Sequence, residues 1–308
     1  MEKESLEIIS IGDVMVDHIS DLTGSPDATS ISFLDSSANV FEEIEICVGG
    51  SAVQFAECCI SHELVTASVV GCIGGQLSTE GQVVPDLPGN VALEYLARNG
   101  IRPLLALREG CATGRTVIIY LPTGGRLMIS DPQANSLLDL DVINDEMKAA
   151  IRRSSLVHVS GYSILRKGRR KAILELLSYV SHGATLVALD VVPHDFYRYI
   201  SFDELQEMGT GLIDWIIIEA PAAHQLLGLG RLGEITQGLA DLMLKKITSA
   251  FPCAAVFLGP REALISTQGR HWRYSYPAVY EAGSRTRGFS ARVQADLLLT
   301  YLRERHGR

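Results

Sequence analysis

Leu6-Glu7-Ile8-Ile9-Ser10-Ile11-Gly12-Asp13-Val14-Met15-Val16-Asp17 reads as an apolar β run closed by a glycine and followed at once by a second, alternating β segment. The first run, 6–12, has the near-continuous apolar character of a strand covered on both faces. Working outward, 14–22 and 43–48 alternate as short strands. Residues 51–64 are helical after Gly49-Gly50, 65–73 form a buried strand, and 91–99 form a helix ended by Gly100. Segments 115–121 and 126–130 flank the hairpin signal Pro122-Thr123-Gly124-Gly125. Short apolar strands follow at 156–161, 185–191, 215–218 and 254–258, with helices expected at 141–153, 167–181 and 233–249. A hairpin over 262–269 and 271–276 and an amphipathic helix over 288–305 close the chain.

This rhythm predicts a three-layer α/β/α sandwich with a mostly parallel central sheet. Two β-rich stretches, about 13–48 and 112–130, interrupt it. They are expected to pair into a small lid over the strand ends, where open α/β sheets bind ligands, within a single domain spanning 1–308.

Composition narrows the function. The chain has 308 residues, 47% hydrophobic and 20% charged, which suits a packed core and argues against disorder. A net charge of −9 disfavours nucleic acid or an anionic membrane as the main partner. No apolar run approaches membrane-spanning length and no signal-peptide core is visible, so a cytoplasmic location is expected. The six cysteines make neither a C-x-x-C pair nor a zinc-spaced cluster, and are expected as reduced, mostly buried thiols. His158, His194, His224 and His271 have no nucleophile at a recognisable triad spacing, and no G-x-x-x-x-G-K-[ST] loop is present.

Several motifs have a chemistry in common. Gly12 is followed five residues later by Asp17, a carboxylate able to accept from two vicinal hydroxyls. Gly49-Gly50-Ser51-Ala52-Val53-Gln54 places backbone N–H groups and an amide at a helix start. Ala112-Thr113-Gly114-Arg115-Thr116, then Gly125-Arg126, then Gln133-Ala134-Asn135 follow in order, and Val187-Ala188-Leu189-Asp190 ends a strand in a carboxylate.

Together these segments resemble the PfkB carbohydrate-kinase family, also called the ribokinase family, over roughly residues 6–300. The resemblance implies a ribokinase-like fold and a sugar or polyol site built from Asp17, Gly49, Gly50, Gln54 (for the family's Asn), Arg115, Asn135 and Asp190. It also implies that the lid β segments could join a second copy as a homodimer.

The phosphate side departs from the family. Its Asp-Thr-x-Gly-Ala-Gly-Asp turn becomes Arg285-Thr286-Arg287-Gly288-Phe289-Ser290-Ala291, with alanine where the proton-accepting Asp belongs. The Pro-Asn-x-x-Glu signature that organises Mg²⁺ becomes a stretch with Ala220 and Ala223 at the Asn and Glu, and Phe257 stands at a nucleotide-side Thr. Family members also run on for two further helical segments. Arg285, Arg287, Gly288 and Ser290 remain a candidate anion site at a helix start. The expected function is therefore a carbohydrate-kinase-like protein with a sugar pocket, no intact catalytic base and no confidently implied cofactor, in a binding or regulatory role. The alternative is an active sugar or nucleoside kinase using ATP and Mg²⁺.

Overall fold

The structure is a computed structural model that describes residues 5–23, 43–121, 126–191, 195–231, 233–259, 262–267, 270–275 and 289–305. In chain order the elements are β1 (Leu6–Ile11), β2 (Met15–Asp21), β3 (Ile44–Gly49), α1 (Ser51–Ile60), β4 (Val65–Leu77), β5 (Val83–Pro85), α2 (Leu87–Arg98) and β6 (Ile101–Glu109). Next come β7 (Gly114–Tyr120), β8 (Arg126–Asp131), α3 (Asp145–Arg153), β9 (Leu156–Ser160), α4 (Lys167–Leu177), β10 (Leu186–Val191) and α5 (Phe202–Gly209). The last are β11 (Trp215–Glu219), α6 (Ala220–Leu226), α7 (Gln237–Thr248), β12 (Cys253–Gly259), β13 (Glu262–Thr267), β14 (Arg270–Ser275) and α8 (Phe289–Arg305).

Among the described residues the main sheet runs β14-β13-β12-β11-β10-β9-β1-β4-β5, with β6 also on β4. Neighbours from β12 through β9 and β1 to β4 are parallel, as is β4 with β6. The β12–β13, β13–β14 and β4–β5 pairs are antiparallel. One face buries α3, α4, α6 and α7 against residues such as Ile9, Val157 and Leu189. The other buries α1, α2 and α8 against Ile8, Leu156, Ala188 and Ile217. Alternate residues of one strand thus enter opposite cores, which is why these strands read as unbroken apolar runs. A separate four-stranded sheet, β3-β2-β7-β8, stands off the main one.

The structure shifts several sequence-based boundaries. Strand β4 continues to Leu77, and β5 and β6 were not anticipated. Pro103 lies in β6, which among the described residues pairs with β4 alone and so leaves one side of the strand where a missing N–H costs no ladder bond. Helix α1 stops at Ile60, and Leu64 takes a positive φ of 59° before β4. Helix α5 begins with a capping box between Ser201 and Glu204, a local signal of its own.

Candidate functional site

The chain moves from β1 outward in both directions across the main sheet, to β4 on one side and β9 on the other, so the crevice at the carboxyl ends of β1 and β9 is the expected ligand position. Gly12 sits there under close packing. A Cβ on it would come within 2.9 Å of the Cβ atoms of both Ala52 and Ser160. The α1 N-terminus is pressed onto the same spot. Gly50, its N-cap, has φ +95°, and a Cβ there would meet the Asp13 carbonyl oxygen at 2.0 Å. Only glycine permits this approach. Gln54 lies half-buried in the first turn, its N–H donating to the Gly50 carbonyl at 3.0 Å.

Asp17 is buried at 4% exposure in β2, in register with Cys47 of β3 and Thr116 of β7. Arg115 pairs with Val16, not Asp17, and is exposed, so it projects from the opposite face of this sheet. Arg126 shares the Asp17 face, through Tyr120 and Asp21. It also acts on Tyr162, whose hydroxyl is pushed above its usual range by burial while Arg126 pulls it down.

Asn135 is fully buried and held by the backbone. Its Oδ1 accepts from Val14 N–H at 2.9 Å, and its Nδ2 donates to the Val14 carbonyl at 2.8 Å and contacts Met15 Sδ at 3.3 Å. The carboxamide therefore imitates a strand partner and fixes the β1–β2 junction. Beside it, Arg169 of α4 is 3% exposed and donates to Asp13 at 2.7 Å and to Ser163 at 2.9 Å. Its position follows the inward helical spacing of Ala172, Ile173, Leu176 and Leu177, a signal that an arginine had been drawn into the core.

Asp190, next to last in β10, is almost fully buried. Burial pushes its carboxyl up to about 7, the Gln294 amide pulls it part-way back, and Glu219 adds to the rise. His158 on β9 stacks on Phe55 with ring centroids 3.8 Å apart and shares a 3.0 Å hydrogen bond with Ser10. Burial depresses its pKa to about 3, so it is neutral at any ordinary pH. Gln294 of α8 was not among the residues expected at the site. A polar side chain three residues past Ala291, in a stretch of α8 whose neighbours Val293 and Ala295 are buried, is the signal that marks it.

Arg285, Arg287 and Gly288 lie outside the described residues. Ser290 is half-buried in the first turn of α8, where its Oγ accepts from Gln294 Nε2 at 2.9 Å, and Ala291 is buried at 8%. Ala220 and Ala223 are wholly buried at the start of α6, with Glu219 as its N-cap residue. Among the described residues no three His, Cys, Asp or Glu side chains converge as metal ligands, and no helix is long and apolar enough to cross a membrane. None of the six cysteines is in a disulfide. A depression of about 430 Å³ lies elsewhere, between β4, β5 and β6 around Cys111; Asp86 on its rim is held by Gly89 and Thr113.

The structure thus brings Gly49, Gly50 and Asn135 together around 12–17 and sets Gln294 against Ser290, while Arg115 lies on the face of the small sheet opposite Asp17. No protein-family model matches the chain, and no curated protein matches it in sequence. Solved structures do. Adenosine kinase from Schistosoma mansoni in complex with 2-fluoroadenosine superposes with a TM-score of 0.74 at 13% identity, covering 98% of this chain and 91% of that one. Adenosine kinase from Sinorhizobium meliloti gives 0.69 at 18% identity, over 89% of this chain and 80% of that chain. Ribokinase from Giardia lamblia gives 0.65 at 15% identity, over 89% and 76%. At these identities the likeness establishes architecture: the chain has the ribokinase-like fold.

Proposed function

We propose that this protein is a cytoplasmic, carbohydrate-kinase-like protein that binds a small sugar or polyol and has lost efficient phosphotransfer from ATP. The observation that carries the reading is an imbalance between the two sides of the cleft. On the sugar side, the Gly50–Asp13 approach, buried Asp17 and the Asn135 clamp keep the expected framework. On the phosphate side, the positions that would accept a proton and organise Mg²⁺ are Ala291, Ala220 and Ala223, buried methyl groups with no oxygen to offer. The residues present therefore do not fit the metal-nucleotide that an active kinase of this fold requires.

A coupled assay with Mg-ATP across pentoses, hexoses and nucleosides tests this. Turnover is expected far below the roughly 1–100 s⁻¹ of ordinary kinases, while calorimetry without nucleotide detects binding of at least one of these sugars. Turnover within the ordinary range overturns the reading, as does failure of every sugar to bind.

A homodimer through the small sheet fits the same reading. Ile44, Ile46, Val117, Leu127 and Ile129 are exposed and share the face turned away from Asp17. Sedimentation is expected to give a dimer that the double variant Ile46→Lys, Ile129→Lys converts to monomer. A monomeric native protein removes the dimer.

A further inference from the structure

Strands β2, β7 and β8 of the small sheet carry one polar row between two less polar ones. Register sets Asp17 beside Thr116 and Thr116 beside Ser130, so the three side chains leave the same face. Two residues further in, Met15 pairs with Gly114. Two residues further out, Ile19 pairs with Ile118 and Ile118 with Met128. This face is turned toward the crevice: Asn135 Nδ2 contacts Met15 Sδ, and a Cβ on Gly114 would collide with both atoms. Asp17 and Thr116 are each 4% exposed, whereas Arg115 and Val117, on either side of Thr116, are exposed.

A covered strand face between apolar rows is ordinarily apolar itself, since a buried hydroxyl costs free energy unless it is hydrogen-bonded. Thr116 Oγ1 and Ser130 Oγ lie 3.3 Å apart, and either can donate to the other. Two hydroxyls hold two hydrogens and the pair uses one, so one donor remains, with lone pairs to accept. On the neighbouring strand, Asp17 brings carboxylate oxygens that accept. Neighbouring strands lie about 4.8 Å apart, so one small molecule can reach both groups. Its matching edge offers hydrogens to Asp17 and an oxygen to the hydroxyl pair. Hydroxyl groups do both, and a deoxy carbon does neither.

We infer that Thr116 and Ser130 are specificity-determining residues: their paired hydroxyls read one ligand hydroxyl beside those held by Asp17, and so select a polyhydroxylated ligand over its deoxy counterpart. The assignment rests on the proposed sugar or polyol site. It puts Thr116, in place of the outward-facing Arg115, as the β7 residue at the ligand.

The test is calorimetry of D-ribose, D-fructose and D-glucose, each with its monodeoxy counterparts, on the native protein, Thr116→Val and Ser130→Ala. Valine keeps the shape of threonine and removes its hydroxyl. For a sugar that binds, Thr116→Val is expected to weaken binding about tenfold, the worth of one hydrogen bond. One deoxy counterpart is expected to bind the native protein about tenfold more weakly than its parent sugar, and to bind native and Thr116→Val alike. Ser130→Ala is expected to act on the same ligand hydroxyl. Sugar binding that both variants leave unchanged overturns the inference, as does an equal loss for every sugar and deoxy sugar, which marks a packing role. If Thr116→Val does not fold, Ser130→Ala decides alone, Ser130 being exposed. If no sugar binds the native protein, the polyol reading falls and this inference with it; if a sugar binds and the variants do not discriminate, this inference falls alone.

Discussion

Asp190→Asn is expected to stabilise the protein near neutral pH by about 4 kcal/mol, with the gain vanishing in acid. The buried carboxyl is pushed from 3.8 to about 7, mainly by desolvation. An acid whose folded pKa is raised favours the native state fully below its unfolded pKa and loses that contribution as pH rises to the folded one. Between about pH 4 and about pH 7 the unfolded chain releases a proton that the native chain keeps, at about 1.4 kcal/mol per pH unit. Roughly three such units give the figure of about 4 kcal/mol. Asparagine does not ionise, so the variant escapes the penalty. His158 has the opposite sign. Depressed from 6.5 to about 3, it contributes stability above pH 6.5 that is lost as pH falls toward 3. The two slopes oppose each other across their shared window, and removing Asp190 should expose the acid sensitivity of His158. Urea unfolding of both proteins at several pH values measures this. A difference that does not change with pH would show that Asp190 ionises normally.

Gly50→Ala is expected to destabilise by roughly 4 kcal/mol, combining backbone strain with overpacking. The added carbon would lie 2.0 Å from the Asp13 carbonyl oxygen and 2.8 Å from its carbon, at φ +95°. Neither obstacle is a movable side-chain end. The 13–15 backbone is held by the Asn135 clamp at Val14 and, at Asp13, by the Arg169 ion pair. Gly81→Ala is the control: its φ is +77° but nothing lies within 4 Å. It should lose only about 1–2 kcal/mol, the left-handed backbone term alone. Equal losses in denaturant unfolding would mean that the Gly50 approach carries no packing constraint.

Much of the architecture was legible in the chain because its signals are local. A strand buried on both faces needs a run such as Ile8-Ile9 or Ile216-Ile217-Ile218, and a helix repeats its apolar residues every three or four positions, whatever lies beyond. The exceptions are local as well. Pro103 disguised β6 as a loop because a proline is tolerated only where the N–H is not needed, and that is a property of the sheet edge.

The site was less legible. Asp17, Gly50 and Asp190 stand out as residue types at strand ends and helix starts, but what each does depends on partners far away in sequence. Asn135, expected on the ligand side, clamps the β1–β2 junction because Val14, 121 positions earlier, lies against it. Arg169 found Asp13 across 156 positions. Which of Arg115 and Arg126 shares the Asp17 face of the small sheet was decided by register between β2, β7 and β8, since a shift of one residue exchanges the faces. Periodicity along the chain thus determined the elements and their order. Only packing between distant segments decided which polar groups are desolvated, and desolvation is what moves Asp190 and His158 from ordinary side chains to unusual ones.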